Sequence, residues 1–169
     1  MARQFAERFG ADEPGEADTH SSAALAHIHA GRLDLALRSY REALALTPHD
    51  WKLLGEAAQF LTQQMLRPRE ALELARQAIS LNPHFSPFLW NTLGNCHFVL
   101  GDIEGADRAY RRARTIDGSD AQTHLNLAFT EAAFGRLEDA LRSIADGLAA
   151  DLEGRYATAL LSKQQEVLA

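Results

Sequence analysis

Seven histidines, one cysteine and a cluster of arginines are the residues of this 169-residue chain whose types could do chemistry. His20, His27 and His29 fall in one helical stretch, and the His20/His27 spacing puts two imidazoles on roughly one face. They have no His-x3-His companion and no converging carboxylates at ligand spacing, so no metal site is expected. Cys96 stands beside Gly94 and His97. A thiol next to imidazole can be a nucleophile, but a small buried position makes it an inert core residue, and that is the expectation. Arg108, Arg111, Arg112 and Arg114 alternate with Asp102, Glu104, Asp107 and Asp117, the pattern of a solvated helix face. Nucleophile elbow, phosphate loop, dinucleotide fingerprint and zinc-protease motif are all missing. The chain reads as non-enzymatic, with no cofactor.

Composition narrows the partners. All but two of the 17 basic residues are arginine (Lys52 and Lys163 are the exceptions), and 23 acidic residues bring the net charge to −6. That balance gives no electrostatic footprint for nucleic acid or an anionic membrane surface. A single cysteine excludes an intrachain disulfide and fits a reducing compartment. Residues 77–101 carry no Asp, Glu, Lys or Arg, yet Pro83, Pro87, Asn82, Asn91, Asn95, His84 and His97 argue against membrane insertion. The first residues lack the apolar core of a signal peptide. A cytoplasmic location is therefore expected, and the preference for arginine over lysine suggests a bacterial source.

The elements that must position these residues come from self-similarity. Gly31-Arg-Leu-Asp-Leu-Ala36 through Tyr40 to Ala43 matches Gly101-Asp-Ile-Glu-Gly-Ala106 through Tyr110 to Ala113, and again Gly135 through Ala140 to Gly147. A weaker copy runs from Pro68 through Ala71 and Ala75 to Ala78. Ala36, Ala71, Ala106 and Ala140 recur every 35, 35 and 34 residues, and Pro48, Pro83 and Gly118 close the first three copies. Each copy holds two runs of apolar residues at helical spacing. Asp50, Ser86 with Pro87, and Ser119-Asp120 read as helix starts, and Gly31, Gly101 and Gly135 as turns between paired helices. The second copy has an extra residue and lacks that glycine. One helix pair buries too little alone, so copies must stack on each other.

These residues resemble the tetratricopeptide repeat: Trp90-x2-Leu93-Gly94-x2-His97, then Ala106-x3-Tyr110-x2-Ala113, follow its pattern with His97 and Gly118 as departures. The resemblance implies an all-α, right-handed solenoid. Its expected parts are a short helix and acidic linker over 1–16, repeats at 17–50, 51–85, 86–120 and 121–154, and a capping helix over 155–169. His27, His97 and His124 then occupy positions that pack between helices. The resemblance also implies a concave groove lined by the first helices, which binds an extended peptide or a partner helix. Its ligand-facing positions include Leu25, Ile28, Gln59, Gln63, Phe88, Asn91, Asn95, Phe98, Gln122, Leu125 and Phe129. Only Asp18 and Lys52 bring charge to the equivalent positions, so the lysine- and arginine-based clamp on a C-terminal carboxylate is not expected. Asn91 and Asn95 lie one turn apart, and amides both donate and accept, which suits a peptide backbone. The function expected is a scaffold holding a protein or peptide in an apolar and amide groove. Two alternatives stay open. The abrupt stop at Ala169 fits a recruitment module cut from a larger enzyme of glycosyltransferase or methyltransferase type. Phe5 and Phe9, or the last helix, could instead dock on a second copy and form a homo-oligomer.

Overall fold

The computed structural model describes residues 15–84 and 86–169, so the short helix expected around Phe5 and Phe9 lies outside the described residues. Among the described residues there are nine helices and no strand. They are α1 (Glu16–His29), α2 (Leu33–Leu46), α3 (Trp51–Gln63), α4 (Pro68–Leu81), α5 (Pro87–Val99), α6 (Ile103–Ile116), α7 (Ala121–Ala133), α8 (Leu137–Ala150) and α9 (Ala157–Leu168). Consecutive helices pair antiparallel, α1 with α2, α3 with α4, α5 with α6 and α7 with α8. Each pair packs on the next, and α9 closes on α7 and α8.

Helix boundaries follow from the capping residues. Asp50 Oδ1 accepts the amides of Lys52 and Leu53 at 2.9 and 3.2 Å, Ser86 Oγ accepts that of Phe88, and Asp120 Oδ2 accepts that of Thr123. Each satisfies amides that a helix start leaves without a partner. Gly31, Gly101 and Gly135 adopt φ of 67°, 80° and 70°, the left-handed region their turns require. In the second pair Leu66 takes that role at φ 51°, a conformation that costs a side-chain-bearing residue about 1–2 kcal/mol.

The packing core runs as a column of small residues between helices. Ala36, Ala71, Ala106 and Ala140, the residues of the sequence repeat, are all 0% exposed. Gly94 shows why this column is small: a Cβ there would meet the Tyr110 ring at 2.2 Å. The thiol of Cys96 is buried against Thr62 Oγ1 at 3.1 Å, and burial pushes its pKa up, which keeps it protonated and unreactive.

Candidate functional site

A cleft of about 230 Å³ opens between α5, α6 and α7, lined by Asn95, Phe98, Tyr110, Asn126 and Phe129. Helical spacing puts Asn95 and Phe98 on one face of α5, and Asn126 and Phe129 on one face of α7. The two phenyl rings lie edge to face with centroids 6.4 Å apart. They remain 39% and 38% exposed, large apolar surface held open to solvent.

Beneath the rings, Tyr110 Oη donates to Asn95 Oδ1 at 2.8 Å. Burial pushes the Tyr110 phenol well above its ordinary pKa, so it stays a donor at any physiological pH. Asn95 is thereby oriented with its carbonyl inward. Among the described residues its Nδ2 has no hydrogen-bond partner, while Asn126 Nδ2 donates to Asn91 Oδ1 at 3.4 Å. The cleft thus presents one amide donor and one amide acceptor between two aromatic edges. On the far side of Phe129, the Lys163 ammonium lies 4.5 Å from the ring centroid and 2.7 Å from Glu166. Lys163 belongs to α9 and is nearly buried, so the last helix supports Phe129 through a cation–π contact.

The residues expected from the sequence divide into several environments. Asn95, Phe98 and Phe129 meet in the cleft. Asn91, one turn before Asn95, is only 4% exposed, and its Nδ2 donates to Asp120 Oδ2 at 2.9 Å and Thr123 Oγ1 at 2.8 Å. It ties α5 to the start of α7 rather than facing a ligand. Gln122 accepts from Tyr156 Oη at 3.3 Å. Phe88 and Leu125 are half-buried against neighbouring apolar clusters, and Ile28 packs against the first. Leu25, at 46% exposed, and Gln63 stand open to solvent on α1 and α3, and Gln59 is half-buried. Tyr110 and Asn126 line the cleft beyond that set, and Lys163 supports it only through the Phe129 ring. Their contribution depends on neighbours 15 to 35 residues away, which helical periodicity does not reveal.

Arg108 stays on the solvated face expected of the α6 arginines, but Arg111 departs from it. Arg111 Nε reaches Asp107 at 2.8 Å and its Nη2 reaches the buried Glu131 at 3.4 Å, while Arg136 Nη2 meets Asp107 at 2.7 Å. Glu131 also accepts from Ser143 Oγ at 2.8 Å. Burial alone would raise the Asp107 carboxyl, but hydrogen bonds from Arg111 and Arg136 outweigh it and hold the pKa below its ordinary value. Arg112 stacks over Trp90. Of the histidines, His124 Nε2 bonds Gly118 O at 2.8 Å and His97 Nδ1 bonds Asp102 at 2.8 Å, both between elements. Among the described residues no group of three or more His, Cys, Asp or Glu is placed to hold a metal ion, and no helix is long and apolar enough to cross a membrane.

The tetratricopeptide repeat profile matches residues 17–50, and the same helix-pair geometry recurs through the three following pairs. Residues 17–50 are a tetratricopeptide repeat, and the chain as a whole has the tetratricopeptide-repeat fold. It is 37% identical over 81 residues to tetratricopeptide repeat protein 33 of Xenopus laevis, covering 48% of this chain and 31% of that protein. The chain spans at most about a third of the length of the curated relatives it matches, 31% and 25%. Among solved structures, TTC0263, a thermophilic tetratricopeptide protein of Thermus thermophilus, superposes with a TM-score of 0.72 at 20% identity over 90% of each chain. The first repeat domain of Spaghetti (RPAP3), solved bound to an HSP90 peptide, superposes with a TM-score of 0.67 at 17% identity, over 73% of this chain and 96% of that one. At these identities the tetratricopeptide neighbours establish the fold alone.

Proposed function

We propose that this tetratricopeptide chain is a non-catalytic interaction scaffold that holds an extended, apolar peptide segment of a partner protein across α5 and α7. The observation carrying this reading is the pair of half-exposed rings, Phe98 and Phe129, set around the amides of Asn95 and Asn126. Asn95 Nδ2 donates to a peptide carbonyl and Asn126 Oδ1 accepts a peptide N–H, so the amides read backbone without reading sequence. The rings take alternate apolar side chains of the same strand. Among the described residues no lysine or arginine lines the cleft, so these give it no charge to grip a terminal carboxylate or an acidic peptide.

Selection of phage-displayed random peptides on the purified chain tests this directly. Recovered peptides are expected to carry apolar residues at alternate positions with no acidic C-terminus. Phe98→Ala combined with Phe129→Ala should cost about 2 kcal/mol of binding, roughly 30-fold. Recovery of acidic C-terminal peptides, or of binders indifferent to both rings, would contradict the proposal. A second reading, self-association, is favoured by the exposed Leu161 and Leu168 on α9. Sedimentation at rising protein concentration separates the two, because self-association requires a mass increase that Leu161→Glu abolishes.

A further inference from the structure

The positions that make the peptide cleft recur two repeats earlier, where α1, α2 and α3 meet. The turn glycines Gly31 and Gly101, and the caps Asp50 and Asp120, fix the register without a gap. Leu25, Tyr40, Glu56 and Gln59 then stand where Asn95, Tyr110, Asn126 and Phe129 line the cleft. Ile28, at the place of Phe98, packs into the apolar cluster of the first repeats. The tyrosine is kept, but its partner is not. Tyr110 Oη donates to Asn95 Oδ1 at 2.8 Å, whereas Leu25 offers no acceptor. Tyr40 is 3% exposed, its ring tilted against Phe60 with centroids 5.4 Å apart. Among the described residues its Oη has no hydrogen-bond partner. A hydroxyl taken from water and left unpaired is unfavourable unless something else meets it.

The phenol lies within the field of Glu56: burial first, and then that carboxylate, push its pKa up to about 12. On its other side Glu56 borders a polar recess of about 70 Å³, shared with Asp18, Ser21, Asp50 and Lys52. Asp50 is spent on capping α3, and Asp18 accepts the Gly15 amide at 3.3 Å. Glu56 is held more loosely, by Ser21 Oγ at 3.4 Å and by Lys52 Nζ at 4.0 Å. Lys52 is 71% exposed, and such i,i+4 surface pairs hold weakly. What converges here is therefore a set of acceptors: the Glu56 carboxylate, the Tyr40 oxygen and the Gln59 carbonyl one turn on. Arginine and lysine carry donors and no acceptor, so they match such a set.

We infer that the α1–α3 end of the groove takes a basic side chain of the partner peptide, its charged head on Glu56 and Tyr40 Oη and its methylene stem over the exposed Leu25. The inference rests on the peptide reading of α5 and α7 and adds a requirement on composition and spacing. Neighbouring helices pack about 10 Å apart, so two repeat steps span about 20 Å, roughly six residues of extended chain. The basic residue therefore lies about six positions from the apolar pair that the Phe98 and Phe129 rings receive.

Selection of random dodecapeptides displayed on phage tests it, run in parallel on the parent chain, on Glu56→Gln and on Phe98→Ala with Phe129→Ala. The parent should recover peptides with an arginine or lysine about six residues from an apolar pair, and Glu56→Gln should recover the apolar pair alone. In a recovered peptide made synthetically, glutamine in place of the basic residue should weaken binding about tenfold to the parent and leave binding to Glu56→Gln unchanged. Tyr40→Phe removes an oxygen that holds nothing in the fold, so its thermal midpoint should equal or exceed the parent's. The same variant should lose about threefold of the preference for the basic peptide over its glutamine form. A Tyr40→Phe chain that melts below the parent would overturn the assignment of that hydroxyl to a ligand. Parent peptides with an apolar pair but no basic enrichment, or the same enrichment on Glu56→Gln, would overturn the inference and leave the α5–α7 cleft standing. Basic enrichment that depends on Glu56, in peptides indifferent to Phe98 and Phe129, would support the acidic end and contradict the α5–α7 reading instead.

Discussion

The junction between the first two helix pairs and the junction between the last two occupy equivalent places in one repeat, yet they are built from opposite chemistries. The early junction is a continuous apolar cluster around Tyr40, Leu53, Phe60 and Leu61, with a cleft left beside it. The late junction is ionic behind and amide in front: Asp107, Arg111, Glu131, Arg136 and Ser143 on one side, Asn91, Asp120, Thr123 and Asn126 on the other. Apolar contacts stabilise without fixing direction, whereas a buried ionic network costs desolvation and tolerates few geometries. The contrast fits the placement of the peptide cleft. Its rings and amides need helices α5 and α7 in one relative position, and the directional network lies where that precision is needed.

The comparison is broken most severely at Asp107. Asp107→Ala leaves Arg111 and Arg136 short of a carboxylate at a site where Asp107 itself is 9% exposed, and should cost about 3 kcal/mol in urea unfolding. Replacing Asp107, Thr130, Glu131 and Ser143 together by Leu, Phe, Leu and Leu, the residues of the early junction, should cost far less than that single change. A fourfold variant less stable than Asp107→Ala would show that the two junctions are not interchangeable. Next in size is Gly94→Ala, which drives a methyl into the Tyr110 ring and should cost about 2 kcal/mol by thermal melting. The first repeat already carries Ala24 at that register, fully buried, so Ala24→Gly should be milder.

Acid sharpens the same contrast. The folded-state pKa of Asp107 is depressed, so the stability it contributes is complete above its unfolded value of about 3.9 and is lost as pH falls through the folded value. Unfolding measured between about pH 5 and 2 should therefore weaken steadily in the parent chain and less steeply in Asp107→Asn. A parallel loss in both would remove Asp107 from the account. The smallest effect is a gain. Leu66→Gly relieves about 1–2 kcal/mol of left-handed strain and gives back about 0.5–1 kcal/mol of backbone entropy, a net stabilisation near 0.5–1 kcal/mol. Gly31→Ala, at the equivalent turn of the first pair, should have the opposite sign.

Much of this fold is legible in the sequence because its determinants are local. The alanines at a fixed period, the caps Asp50, Ser86 and Asp120, and the positive-φ glycines act within a few residues of where they stand. Leu66 escapes because nothing in its type announces a left-handed conformation. The site is less legible for a different reason. Phe98, Asn95 and Phe129 follow from helix faces, but Asn91 is diverted by Asp120 and Thr123, 29 and 32 residues ahead. Arg111 looks like its exposed neighbours in sequence, and only the packing of α7 against α6 turns it toward Glu131. Pairing across helices decides which polar residue is spent on the fold and which is left for a ligand.

The central claim is that α5 and α7 together form the peptide site, with Asn95 and Asn126 reading backbone between Phe98 and Phe129. Hydrogen-exchange mass spectrometry of the chain with and without a selected peptide tests it most directly. The account predicts added protection in segments of α5 and α7 that Phe98→Ala with Phe129→Ala removes. Protection confined to α1–α4, or unchanged in the double variant, would contradict it.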